Sequence, residues 1–173
     1  MSPARRVLNA LTLMVAIGLL AGCFRSDKPL IDKAQASFPF EELVVKTEEG
    51  ETAILRRDGD VYAYIDPAKP DRPAEKTILL HLVAEHTYVV QEAGDKGRSI
   101  FLFARRSGDK ITTGAVCRTI DDAVLKTLGI ERESGGGDFA DCVAKDLNAL
   151  VELAKTPDIW AKETKTLEIV SIK

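Results

Sequence analysis

The 173-residue chain has few of the residues from which metal and nucleophilic sites are usually built: two histidines, three cysteines and one tryptophan. His81 and His86 are five apart, whereas the zinc-protease arrangement needs histidines four apart on a helix with a glutamate after the first. Neither a CxxC pair nor a neighbouring histidine accompanies any cysteine, which removes the usual zinc-ligand spacing. The stretch "ESGGGD" (133–138) is followed by no Gly-Lys-Ser or Gly-Lys-Thr, and the chain has no GxSxG elbow, so that stretch reads as a flexible loop. Excess positive charge is missing too. With a formal net charge of −3, the chain offers no electrostatic basis for nucleic acid as a partner.

Also absent is an apolar run of the roughly 20 residues that a helical membrane span requires. The longest run, Val7 to Ala21, is about 15 residues, is interrupted by Asn9 and Thr12, and is preceded by Arg5 and Arg6. A short apolar region behind a basic start is the pattern of an export signal. It ends in Leu20, Ala21, Gly22 and Cys23. This ending resembles the lipobox of bacterial lipoproteins residue for residue. The resemblance implies cleavage before Cys23, a diacylglyceryl thioether on its sulfur and an acyl chain on the new amino terminus. It covers the export and anchoring segment only. In the family an aspartate after the lipidated cysteine retains the protein at the inner membrane, whereas here Phe24 follows. For a Gram-negative source that implies an outer-membrane anchor facing the periplasm.

Removing residues 1–22 leaves 151 residues, enough for one ordinary domain, with a formal side-chain balance of −5 (22 basic against 27 acidic). If Cys23 carries lipid, Cys117 and Cys142 remain. An oxidising envelope permits a disulfide between them, and two separate buried thiols are the alternative. The organisation read from the chain is a signal over 1–22, a lipidated polar tether over 23–37 and a single domain over 38–173.

That domain begins with strand-like segments. "ELVVKT", "TAILRR" and "VYAYI" are separated by "EEGE" and by "DGD", and Asp58-Gly59 is a hairpin signal. "TYVVQEA", "IFLFARR" and "ITTGAV" repeat this order, with Arg56-Arg57 matched to Arg105-Arg106 and Gly59-Asp60 to Gly108-Asp109. The pattern suggests two three-stranded units. Between them lie the proline-rich "DPAKPDRPAEK", expected to be a loop, and "TILLHLVAEH", expected to be a strand buried on both faces. After Cys117 the chemistry changes. "TIDDAVLKTLG" has a cap in Thr119 or Asp121 and a stop in Gly129, and Phe139–Lys155 has a broad apolar arc at helical spacing. Thr156-Pro157 opens a short helix and "TLEIVSI" supplies a last strand. The expected fold is α+β, a predominantly antiparallel sheet with two or three C-terminal helices.

Three features stand out as candidate sites in the domain. Arg56, Arg57, Arg105 and Arg106 would form an anion-binding or partner-binding patch if the two units bring them together, or would simply solubilise hairpins. Tyr62 and Tyr64 share one strand face and would extend that patch if exposed, or complete the sheet if buried. Asp146 falls in the apolar arc of the expected helix, so it needs a capped amide, an arginine, a hydroxyl or a solvent-reaching rim. The acidic pairs Glu48-Glu49 and Asp121-Asp122 read as solvated turns. No cofactor beyond the lipid on Cys23 is implied. The functional expectation is a membrane-anchored envelope protein whose domain binds another envelope protein or has a structural role. A periplasm-facing enzyme and a small-ligand carrier are the alternatives, and a large apolar pocket inside the sheet would favour the carrier.

Overall fold

The computed structural model describes residues 24–67, 70, 76–133, 141–161 and 164–173. The expected signal, its cleavage site and Cys23 lie outside the described residues. So do most of the proline-rich loop and the glycine-rich stretch 134–140.

The described residues form one eleven-stranded sheet. β1 (Phe24–Ser26) comes first, followed by β2 (Glu42–Lys46), β3 (Thr52–Asp58), β4 (Val61–Ile65), β5 (Thr77–Ala84), β6 (Thr87–Ala93), β7 (Ser99–Ser107) and β8 (Lys110–Thr113). Two short strands, β9 (Glu131–Arg132) and β10 (Cys142–Val143), and the long β11 (Thr166–Ile172) complete it. Strands β2 to β8 pair antiparallel in sequence order, β6 also pairs with β7, and β11 inserts between β8 and β2. These eight strands therefore close a ring, which removes the free edges of an open sheet.

The segments expected to form two three-stranded units lie within one continuous antiparallel run from β2 to β8, as β2–β3–β4 and β6–β7–β8, joined through β5. Their β3–β4 and β7–β8 hairpins have matching two-residue loops, closed by the pairs Asp58–Val61 and Ser107–Lys110. Gly59 and Gly108 both have φ of +60°, while Asp60 and Asp109 do not enter positive φ. Positive φ at the first central residue alone is what a type II′ hairpin turn requires. The same backbone bond recurs beside each meander: Arg57 N–H donates to the Glu41 carbonyl and Arg106 N–H to the His86 carbonyl. In the ring β3 and β7 lie four strands apart, so the two units occupy opposite walls.

Side chains on one strand alternate between lumen and exterior. Leu43, Val45 and Ala53 pack inside the ring with Leu55, Tyr64, Ile111, Leu167 and Ile169. On the outer face of β2 and β3, Glu42 pairs with Arg56 and with Lys173, and Lys46 is exposed. The outer face of β6 and β7 is apolar instead. Val89, Phe101 and Phe103 are buried there against Leu150, Leu153, Ala154 and Ile159, which belong to the helical layer. The larger core thus lies outside the barrel, between one wall and the helices.

That layer comprises α1 (Asp122–Thr127), α2 (Leu147–Lys155) and α3 (Asp158–Ala161). Asp121 caps α1 by accepting from the Ala123 amide at 2.7 Å, and Gly129 follows it at φ +68°. Cys117 and Cys142 form a disulfide with their Cα atoms 5.6 Å apart. Gly114 lies where the chain leaves β8 and crosses Phe103. A Cβ at this position would stand 2.7 Å from the Phe103 Cβ, closer than side-chain carbon atoms can approach.

Three sequence expectations are corrected. β5, expected to be buried on both faces, buries Leu80 alone, and Leu82 is 48% exposed. The tether expected over 23–37 is built into the fold from Phe24 onward, because Phe24 and Ile31 supply apolar surface that the polar neighbours conceal in composition. Phe24 pairs with Phe101 of β7 and in parallel with Cys142 of β10, and only 2% of it is exposed. Ile31 is buried, and the Gln91 side chain accepts from the Leu30 and Ile31 amides. The helix expected over 139–155 begins only at Leu147, since Cys142 and Val143 are taken by strand pairing with β1 and β9. Asp146 is consequently the α2 N-cap. It is extended at φ −147° and ψ 160°, exposed, and accepts from the Ala149 amide at 2.9 Å. Asp146→Ala should lower stability by about 1 kcal/mol, a loss of a few degrees in melting temperature, readable by calorimetry. An unchanged melting temperature would show that the cap contributes nothing.

Candidate functional site: the barrel lumen

The residues singled out in the sequence do not gather into one patch. Arg56 and Arg57 are on β3, Arg105 and Arg106 on β7 across the ring, and each is already engaged. Arg56 faces outward and meets the Glu42 carboxylate at 2.9 Å through Nε and Nη2. Glu42 also binds Lys173. Hydrogen bonds from Lys173 and Arg56 hold its carboxyl below the usual carboxylate range. Arg57 contacts Glu41 at 3.0 Å and lies 4.5 Å from the centre of the Phe38 ring. Arg105 faces outward over Trp160, 4.0 Å from the ring centre. Each such cation–aromatic contact holds a charge on an apolar surface for about 0.5–1 kcal/mol when exposed.

Tyr62 and Tyr64 point into the barrel. Tyr62 pairs with Arg57, and Tyr64 with Leu55, whose neighbour in β2 is Leu43. Tyr62 is fully buried under Phe38 and Phe40. Its hydroxyl donates to the Phe40 carbonyl at 2.7 Å. Burial pushes the hydroxyls of Tyr62, Tyr64 and Tyr88 above the ordinary tyrosine value, so all three remain neutral phenols near neutral pH. The histidines face away from any shared chemistry. His81 Nδ1 lies 2.9 Å from the Gln35 carbonyl oxygen, and His86 turns the β5–β6 hairpin at φ 57°, exposed. Among the described residues no group of histidine, cysteine and carboxylate side chains could hold a metal ion.

What sequence reasoning missed is the asymmetry of burial across the β6–β7 wall. Val89, Phe101 and Phe103 face outward and are at most 1% exposed. Tyr88, Val90, Ile100 and Leu102 are their inward-facing neighbours, and all remain partly exposed. A side chain pointing into a closed ring is shielded laterally by the strands, so its exposure comes through the lumen. Leu55, Tyr64, Ile78, Ile111 and Leu167 share this half-buried state on the other walls. At the β5 end of the wall inward-facing Leu82 is 48% exposed. These inward-facing side chains therefore touch water, whereas Leu43, Val45, Ala53, Tyr62 and Leu80, also inward-facing, are buried. Alternation in the sequence distinguishes two faces of a strand, but not which face the helices seal.

Polar groups in this space are few. Glu92 is buried on the inward face and is paired with Lys76. Arg106 stands in the inward row Arg106–Ile111–Leu167 at the hairpin end. Away from the lumen, a groove of about 290 Å³ runs along Ala123, Val124, Thr127, Leu128 and Thr156 and holds no ionisable side chain. Among the described residues no helix is long and apolar enough to cross a membrane. Comparison with family models, curated proteins and solved structures finds nothing that matches the chain.

Proposed function

We propose that this protein is exported, is held to a membrane surface by acyl groups on Cys23, and uses its barrel to bind a small apolar ligand. The observation that carries the ligand reading is the partial exposure of inward Val90 and Leu102 beside fully sealed Val89 and Phe103. Apolar side chains lining a small barrel and touching water gain free energy when a ligand replaces that water, about 25 cal/mol per Å² of apolar surface covered. An eight-stranded barrel is either filled by its own side chains or holds one small ligand. The Tyr64 and Tyr88 hydroxyls and Arg106 supply the sparse polar groups that orient a ligand in such a space. The reading as a protein-binding patch has less support, because its arginines lie on opposite walls and its tyrosines point inward.

The test is native mass spectrometry of the full chain extracted from its own membranes. A non-covalent adduct of one small molecule per chain, shed on collisional activation, is the expected result. A spectrum containing only the acylated chain, unchanged after incubation with a mixed extract of membrane lipids and other apolar metabolites, would sink the carrier reading.

A further inference from the structure

Within the ligand reading just given, on which this inference rests, the two meanders identify the chemistry of the ligand. Arg57 and Arg106 are equivalent positions of the repeat. Each faces the lumen side of its hairpin, and each donates from Nε to the carbonyl of its own turn glycine, Gly59 at 3.2 Å and Gly108 at 3.1 Å. Around Arg57 the chain fills the barrel mouth itself. Phe38 lies on the guanidinium, Phe40 covers Tyr62, and the Glu41 carboxylate accepts from Nη1 at 3.0 Å. This half of the barrel thus provides its own arginine with an apolar ring face and, from a separate side chain, a carboxylate.

Around Arg106 the corresponding positions differ. His86 stands where Glu41 stands in the other half, and among the described residues no carboxylate lies within ion-pair distance of Arg106. Tyr88 pairs with Ala104, two positions before Arg106 on the same inward face of β7. Inward-facing Leu82, Val90, Leu102 and Ile111 provide the half-buried apolar surface. A guanidinium fixed through Nε still has its two Nη groups for a carboxylate, and such charge-assisted bonds are the stronger class.

We propose that the lumen binds a long-chain fatty acid, with the alkyl chain along Leu82, Val90 and Leu102 and the carboxylate on Arg106. The ligand would reproduce in the second half of the barrel what Phe38 and Glu41 provide in the first. A neutral chain of equal length would gain the apolar contacts and lose the ion pair.

The experiment uses the full acylated chain in vesicles, photolabelled with diazirine-tagged palmitic acid and, separately, with the matching diazirine-tagged alcohol. Label is mapped by peptide mass spectrometry. The acid should label the β6 and β7 peptides about tenfold more than the alcohol, the discrimination expected from one charge-assisted hydrogen-bonded pair. Arg106→Leu should abolish the preference for the acid and Arg106→Lys should restore part of it. Equal labelling by acid and alcohol would overturn the carboxylate proposal and leave the apolar-ligand reading standing. Absence of label from the lumen peptides with both probes would overturn the two together. The comparison of acid with alcohol on the unmodified chain decides the matter even if the Arg106 variants fail to fold.

Discussion

Replacing both Cys117 and Cys142 by alanine should lower the melting temperature by roughly 10 °C, the largest stability change expected from altering one covalent feature of the fold. The bridge spans 25 positions. Closing a loop of that size restricts the unfolded chain by about 3.5 kcal/mol in the chain-entropy treatment. Both cysteines are fully buried, so truncation also removes packing from the core around Phe24, Ile120 and Leu150. The damage should be uneven. β10 is held to β1 by two residue pairs and to β9 by two more, whereas β6 and β7 share seven. Amides of β1 and β10 should therefore lose hydrogen-exchange protection first, with the β6–β7 ladder protected until global unfolding. Calorimetry with exchange mass spectrometry measures both effects. A melting temperature within about 2 °C of the parent would refute the stabilising role, and uniform loss of protection would refute the local one.

Much of this fold was legible in the chain because local signals agreed with one another. The Gly59-Asp60 and Gly108-Asp109 turns, the strands "TYVVQEA" and "IFLFARR", and the Gly129 stop each occur where the sequence places them, and of the two cap candidates Asp121 is the one used. Barrel closure depends on β11, which joins β8 to β2 from far along the chain. No local pattern encodes that pairing. The start of the domain was obscured for a different reason. Phe24 stands among Arg25, Ser26, Asp27 and Lys28, and its burial depends on β7 and β10. Arg25 joins this strand to Asp27, Glu133 and Asp141 by ion pairs. The Glu133 hydrogen bond raises its pKa, so charged residues that look solvated in sequence hold the strand in place. The candidate site was least legible. The tyrosines and arginines were identified by type, but their functional meaning depends on which face of each strand becomes the lumen.

The position of Phe24 gives the proposed anchor a mechanical consequence. Replacing Cys23 by serine is expected to remove the acyl mass from the chain and its firm retention on membranes together. A single short acyl chain binds membranes only marginally and reversibly, with an association constant of about 10⁴ M⁻¹, whereas two or more give stable attachment. All the proposed acyl groups depend on residue 23, so its substitution removes every one of them. Because residue 24 is already paired on both sides and buried, no flexible tether separates such an anchor from the barrel. The domain would sit against the headgroups. Intact-mass measurement and membrane fractionation after a high-salt wash check the first expectation. Unchanged mass with unchanged retention would remove the anchor. Inserting a Gly/Ser linker between Cys23 and Phe24 isolates the second expectation, since such a linker is a flexible coil that adds roughly 5–6 Å times the square root of its length. The linker variant should keep its acyl groups and melting temperature while the described domain becomes more accessible to added protease at the membrane surface. If accessibility is the same with and without the linker, close apposition of the barrel to the bilayer is wrong even where acylation holds.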